Sequence, residues 1–133
     1  PDPNAIGAAH GNDIPEIRYA DILLSRAEAL NELDGPTIES VNLINLVRER
    51  AGLENIKLSE FLTKDDLRNH ILKERGWVFY SEGHRRMDLI RMDKFVSGAI
   101  ARGKTNAKPF HVLFPIPQIV VDSDPLLEQN EGY

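Results

Sequence analysis

The residues of this chain best suited to chemistry lie in one stretch, Glu74-Arg75 followed by Glu82-Gly83-His84-Arg85-Arg86-Met87-Asp88-Leu89-Ile90-Arg91. Glu74 and Glu82 carry carboxyl groups that burial would shift toward acid–base work. Glu82, His84 and Asp88 are metal-ligand types, and His84 and Asp88 have the spacing of a pair on one helix face. Arg85, Arg86 and Arg91 form a basic run of the kind that forks onto phosphate or sulfate. Trp77, His70 and Tyr80 flank the segment, and exposed aromatics can act as stacking platforms for sugars. Each chemistry meets an objection. No nucleophile or Gly-rich phosphate loop accompanies the carboxylates, and the arginines make the turns around His84 and Asp88 hostile to a cation. A tryptophan between apolar stripes belongs to a core or an interface.

A paired polar network meets no such objection. A helix that buries Leu67, Ile71, Val78 and Phe79 carries Glu74 on the same stripe, with Arg75 and Glu82 on its shoulder. Glu28 shares the stripe of Ile17 and Leu24, while Asn45 and Arg48 share the face of Ile38 and Val41. Charges driven toward an interior must find partners. Asp88 is placed to anchor Arg85 or Arg91 near a helix start, where the helix dipole also favours an acid. Glu28, Asn45, Arg48, Arg50, Glu74, Arg75, Glu82, His84, Arg85, Asp88 and Arg91 are therefore expected to join helices together. None is assigned a catalytic or metal-binding role, and the residues alone describe a helical interaction domain.

The elements that must position these groups are mainly helical. At 133 residues the chain has the length of one domain, and 41% apolar with 28% charged residues is an ordinary globular balance. A net charge of −5 argues against general affinity for nucleic acid or anionic membrane. Without cysteine there is no disulfide, thiolate zinc site or thiol nucleophile. No window is apolar enough to span a bilayer as a helix. The opening Pro1-Asp2-Pro3-Asn4 reads as an excerpt from a longer protein, and residues 1–15 as a lead-in loop.

Helical spacing over Ile17–Leu33 predicts a first helix, stopped by Asp34-Gly35-Pro36. Thr37 can cap a second, running to about Ala51 and completing a helical hairpin. A loop with Ile56, Leu58 and Phe61 follows, and Thr63 with Asp66 resembles a capping box opening a third helix to about Glu82. Gly83 breaks it, and a fourth helix is expected from about Arg85 to Val96. Residues 97–108 read as an exposed loop, with a frayed helical start as the alternative. Pro115 and Pro117 push Phe114 and Ile116 toward extended backbone, so His111 to Gln118 reads as an extended strap, with turns after it. The helix starts follow no fixed repeat.

In this order the motifs resemble the C-terminal part of the SusD/RagB family of outer-membrane nutrient-binding lipoproteins of Bacteroidetes, over about residues 14–133. Ile17-Arg18-Tyr19-Ala20-Asp21-Ile22-Leu23-Leu24 with Ala27-Glu28-Ala29-Leu30-Asn31-Glu32 is similar to the family's first signature helix. Asn45 with Val47-Arg48-Glu49-Arg50-Ala51-Gly52-Leu53 is similar to the second; Glu74-Arg75, Glu82-Gly83-His84-Arg85 and Asp88-Leu89-Ile90-Arg91 are similar to the third. Pro115-Ile116-Pro117-Gln118 and Gln129-Asn130 with Gly132-Tyr133 resemble the end. The chain departs from the pattern at Val78, where the family usually has a glutamate, and at Gly76, often arginine; mid-helix, that glycine should cost about 1 kcal/mol against alanine. Asp124-Pro125 stands for Asn-Pro, and Glu131 for a common proline.

The resemblance implies a helical domain over 16–133 built on a tetratricopeptide-like scaffold. It implies a non-enzymatic, cofactor-free protein, lipid-anchored through a cysteine outside this chain. Such a protein captures oligosaccharide, or sometimes peptide, and delivers it to a SusC-type TonB-dependent transporter. Ligand contacts in the family come largely from outside the matched segment, so no ligand-binding residue is carried over. A free-standing helical adaptor that binds another protein is the alternative.

Overall fold

Apolar side chains recur three and four positions apart through the first half of the chain, and each recurrence becomes one buried face of a helix. The computed structural model describes residues 17–133, so the lead-in expected over 1–15 lies outside the described residues. Six α-helices and two short 3-10 turns make up the described residues, with no strand among them. The chain divides into two compact units, one ending at Val78 and the other beginning at Phe79.

In the first unit α1 (Tyr19–Asp34) buries Ala20, Leu23, Leu24, Ala27 and Asn31. Ile17, placed on the same stripe from its spacing, precedes the helix and is exposed. The last turn of α1 is closed from elsewhere. Lys64 Nζ donates to the carbonyls of Glu32 (2.7 Å) and Leu33 (3.0 Å), groups with no partner within their own helix. α2 (Ile38–Arg50) starts at the expected cap: Thr37 Oγ1 accepts from the Ser40 N–H at 3.1 Å, and Ser40 Oγ accepts from the Thr37 N–H at 3.0 Å. α3 (Lys64–Val78) opens on the expected capping box, with Thr63 and Asp66 exchanging bonds of 2.9 and 3.1 Å.

α1 is the central helix and packs on both α2 and α3. Leu24, Ala27, Ile44, Leu67 and Ile71 are fully buried in this core. The segment between α2 and α3, including a 3-10 turn at Leu58–Glu60, is held by Asn45. Its Nδ2 donates to the Ile56 carbonyl (3.0 Å) and its Oδ1 accepts from the Ile56 N–H (2.9 Å). One buried amide thus satisfies both main-chain groups of Ile56. Ile56 itself is buried.

The sequence expectations need three corrections. α3 stops at Val78 rather than about Glu82; a turn follows in which Ser81 has a φ of 63°. The single fourth helix is two, α4 (His84–Arg91) and α5 (Phe95–Ala101), parted where Asp93 has a φ of 54°. Asp is among the few non-glycine residues that enter this left-handed region. α5 also takes up the helical start that the span from residue 97 allowed. The C-terminal strap is only partly extended: Pro109–Val112 forms a 3-10 turn and Gln118–Ser123 forms α6, with extended backbone between them at Leu113 and Pro117. Proline's fixed φ suits a helix start as well as a strap, and here Pro109 and Pro117 stand at helix starts. Gly83 precedes α4 at a φ of 83°, a conformation that a β-carbon would strain.

In the second unit the end of the chain grips the segment before α6 by its backbone. Gln129 Nε2 donates to the Ile116 carbonyl and its Oε1 accepts from the Ile116 N–H, both at 2.8 Å. Asn130 Nδ2 reaches the Phe114 carbonyl at 2.7 Å, and the Tyr133 hydroxyl reaches that of Leu113 at 2.8 Å. The Tyr133 ring meets Phe110 edge-on at 5.0 Å. A β-carbon on Gly132 would lie 2.4 Å from Phe110 Cδ1, so only glycine fits this approach without a shift.

Candidate functional site

Glu74 sits on the buried face of α3, 1% exposed, because the 3- and 4-residue spacing from Leu67 and Ile71 puts it there. Arg48 on α2 ion-pairs with its Oε1, and His70 Nε2 lies 3.1 Å from the same oxygen. A carboxylate can only accept, so the His70 Nε2 carries the proton in this contact. Burial pushes the Glu74 carboxyl up, but the hydrogen bonds from His70 and Arg48 and the charge of Arg48 outweigh it and hold the group below its ordinary value. Glu74 is thus a committed carboxylate. That is the opposite of the raised pKa a general acid needs at neutral pH. Arg48 is itself oriented by Nε, which donates to the Glu54 carbonyl at 2.8 Å.

One residue on, Arg75 is 5% exposed and turns toward α1. Its Nη1 donates to Asp21 Oδ1 at 2.6 Å and to Ser25 Oγ at 3.3 Å. Successive residues of α3 therefore hold two different helices, Glu74 taking α2 and Arg75 taking α1. A third tie runs from the start of α1, where Arg18 Nη2 donates to the Val78 carbonyl at 2.7 Å. At the other end of α3, Arg68 forks onto Glu32 of α1 with bonds of 2.7 and 2.5 Å, and that fork holds the Glu32 carboxyl below its usual value.

In the second unit Asp88 is buried and takes both Arg91 Nε (3.0 Å) and Nη2 (2.9 Å). The His84 ring lies 4.7 Å from that of Phe79. Arg86 Nη2 donates to the carbonyls of His111 (3.1 Å) and Val112 (3.0 Å), and its guanidinium stands over the rings of Phe95 and Phe114 at 5.0 and 4.1 Å. The arginine of the basic run that was expected in no specific pair thus joins α4 to the C-terminal segment.

Of the residues expected in the network, the structure brings Arg48 to Glu74 and Arg91 to Asp88, joins Arg75 to α1, and sets Asn45 on a backbone. Glu28 is half-buried, as is His84. Arg50, Glu82 and Arg85 lie on the exposed surface rather than inside. Asp21, Ser25, Asn31, Lys64, Arg68 and His70 take part without having been singled out as partners. His70 meets Glu74 from four positions away on the same helix, whereas the others reach other helices across 31 to 54 positions of sequence. Among the described residues no group of three or more His, Asp or Glu side chains is arranged to hold a metal.

Two open cavities lie on the first unit. One, of about 340 Å³, is lined by Tyr19, Ala20, Leu23, Leu46 and Val47, with Arg18 and Arg50 at its polar parts. The other, of about 180 Å³, runs past Val47, Arg48, Arg50, Leu53, Glu74, Trp77 and Val78. Val47 and Arg50 belong to both. Trp77, expected in a core or an interface, is 61% exposed at the rim of the smaller cavity, so within these residues it is not core. The chemistry available here is apolar contact plus arginine hydrogen bonding, without a nucleophile or a raised acid.

Comparison with known proteins places this arrangement. The family model described as the SusD family matches residues 6–133. Two SusD-like proteins of Formosa agariphila are 37% and 34% identical, over 87% and 93% of this chain but 24% and 25% of their own lengths. The starch-binding protein SusD of Bacteroides thetaiotaomicron is 30% identical over 91% of this chain and 22% of its own length. The chain thus spans about a quarter of the curated relatives it matches. No solved structure matches it.

Proposed function

The chain belongs to the SusD family, and from that premise we propose that it is part of the helical scaffold of a non-catalytic, glycan-binding nutrient-uptake protein. The intact protein captures an oligosaccharide at the outer cell surface, held there by a lipid anchor outside this chain. It presents the captured glycan to a TonB-dependent transporter of the SusC type, without bond cleavage. Residues 16–133 form its C-terminal helical domain, and the ion pairs around Glu74, Arg75 and Asp88 hold that domain together rather than touching ligand.

The observation that carries this reading is the family match over residues 6–133, supported by a relative that is named as a starch-binding protein. The lowered pKa of Glu74 supports it too, because the most buried carboxylate is spoken for by His70 and Arg48. No helix among the described residues is long and apolar enough to cross a membrane.

The test is calorimetric titration of the intact protein with a panel of oligosaccharides, followed by chromatography of the recovered sugar. Saturable binding with the sugar recovered whole is expected. Shortened sugar would make the protein an enzyme. Failure of every glycan, together with a protein that co-purifies in fixed ratio, would favour the adaptor reading, which draws on the exposed Tyr19, Leu46 and Trp77.

A further inference from the structure

The chain has 21 acidic residues, yet none stands between Asp93 and Asp122. The charges of that stretch are Lys94, Arg102, Lys104 and Lys108, all exposed and none paired with a carboxylate among the described residues. The net charge of −5 therefore conceals one basic region. Its centre is α5, whose seven residues include Phe95, Val96, Ala99, Ile100 and Ala101, and none of the seven is buried. Ile100 is 50% exposed.

The backbone gathers the cations around this helix. Lys94 precedes its first turn and Arg102 follows its last. Gly103, at a φ of 83°, turns the chain so that the Lys104 N–H donates to the Ala99 carbonyl at 3.0 Å, which sets Lys104 beside the end of α5. Lys108 leads into the 3-10 turn Pro109–Val112, which packs on α5. A seven-residue helix is about 10 Å long, comparable to a Debye length, so the cations act on a surface together. Helix stability accounts for Arg102 and Lys104, at the negative end of α5, but not for Lys94 at its positive end.

We propose that α5 and its flanking cations rest on the anionic headgroups of a lipid bilayer, as a second contact beside the lipid anchor of the proposed function. An apolar helix bordered by lysines suits a membrane interface: aliphatic side chains enter the boundary between headgroups and acyl chains, and the cations meet lipid phosphates. Charge complementarity and side-chain type choose this occupant. Three of the four cations are lysines, and the exposed apolar side chains of α5, Ile100 and Ala101, are aliphatic. Lysine is a point charge on a flexible stem, matched to lipids that move laterally. A protein partner would draw instead on Trp, Tyr and Arg anchors. The contact fixes which side of the second unit faces the bilayer, something an acyl chain alone leaves open. This rests on the proposed membrane location of the intact protein, and not on what that protein binds.

The test is co-sedimentation of the intact protein, prepared without its acyl group, with vesicles of phosphatidylcholine alone or mixed with phosphatidylglycerol. Binding to the mixed vesicles only is expected, weakening as salt rises. Lys104→Gln combined with Lys108→Gln should weaken it about thirtyfold, the effect of two cations lost from a membrane surface. Ile100→Ser should weaken it severalfold and leave the salt dependence as it was. These variants change exposed side chains, so the melting temperature should not move. Should one of them fold poorly, Lys94→Gln, at the far end of α5, decides in its place. No sedimentation of the parent, or equal sedimentation of parent and double variant, would overturn the proposal. So would retention on heparin with the same lysine dependence but no vesicle binding, which would assign the patch to an anionic polysaccharide. With the acyl group absent the outcome does not depend on the anchor, and failure here leaves the calorimetric test of glycan capture untouched.

Discussion

At the scale of single residues the decisive fact is that Glu74 and Arg75 are neighbours with different survivors. Replacing Glu74 by alanine leaves Arg48, only 15% exposed in its side chain, without its counter-charge, and should cost about 3–5 kcal/mol in a denaturant titration. Replacing Arg75 by methionine leaves Asp21, whose side chain is 23% exposed and reaches water. The loss should be nearer 1.5–3 kcal/mol, about that of a charged hydrogen bond. A larger loss for Arg75→Met than for Glu74→Ala would reverse this account. The pH dependence follows from the sign of the Glu74 shift. Its folded pKa lies below the unfolded value of about 4.5, so the unfolded chain binds the proton more readily. Its contribution is complete above that unfolded value and is lost as the pH falls through the folded one. The stability gap between the parent and Glu74→Gln should therefore be constant near neutrality and close under acid conditions. A gap that widened toward acid would mean the shift has the opposite direction. Glu74 and Arg75 were legible as buried charges because helical spacing alone fixes their side of α3. Their partners were not, since Asp21 and Ser25 lie 54 and 50 positions away and look like any surface polar residues.

At the scale of elements, local chemistry set the starts of helices and tertiary context set several of the ends. Thr37 with Ser40, and Thr63 with Asp66, satisfy first-turn N–H groups from within four residues, so their roles could be read from spacing. The stop of α1 was legible in Asp34-Gly35-Pro36, and Gly35 caps it at a φ of 85°, but the further bonds to its last carbonyls come from Lys64 on another helix, and no spacing encodes those. The stops at Val78 and Arg91 were missed for a related reason: each precedes a turn with one non-glycine residue at positive φ, Ser81 or Asp93, whose side chain gives only a weak signal. The sharpest test at this scale is Asn45→Leu, which fills the volume but strands the Ile56 N–H and carbonyl in a buried site. It should cost about 2–4 kcal/mol, on the basis of about 1–3 for each buried polar group left unpaired. Hydrogen exchange at Ile56 should accelerate with it, whereas an unchanged exchange rate would show that the segment is held by its apolar contacts.

At the scale of the whole molecule, the helical class follows from periodicity that survives along most of the chain, and the family from five motifs in fixed order. What the residues could not reveal is which apolar faces are finished. Trp77 and Leu46 obey the same spacing rules as Leu72 and Val47, yet the first pair is exposed and the second buried. If the charged network serves the scaffold, Glu74→Ala should leave oligosaccharide affinity of the intact protein unchanged well below its melting temperature. Affinity lost at unchanged melting temperature would move Glu74 into the ligand site.

The grip of Gln129, Asn130 and Tyr133 on residues 113–116 has a consequence for sequence drift. Main-chain carbonyls are the same whatever residue bears them, so the gripped positions Leu113 and Ile116 are read by shape only. The gripping side chains have no such latitude. A saturation mutagenesis scan scored by protease survival should find broad acceptance at Leu113 and Ile116, and near-total rejection at Gln129 and Gly132.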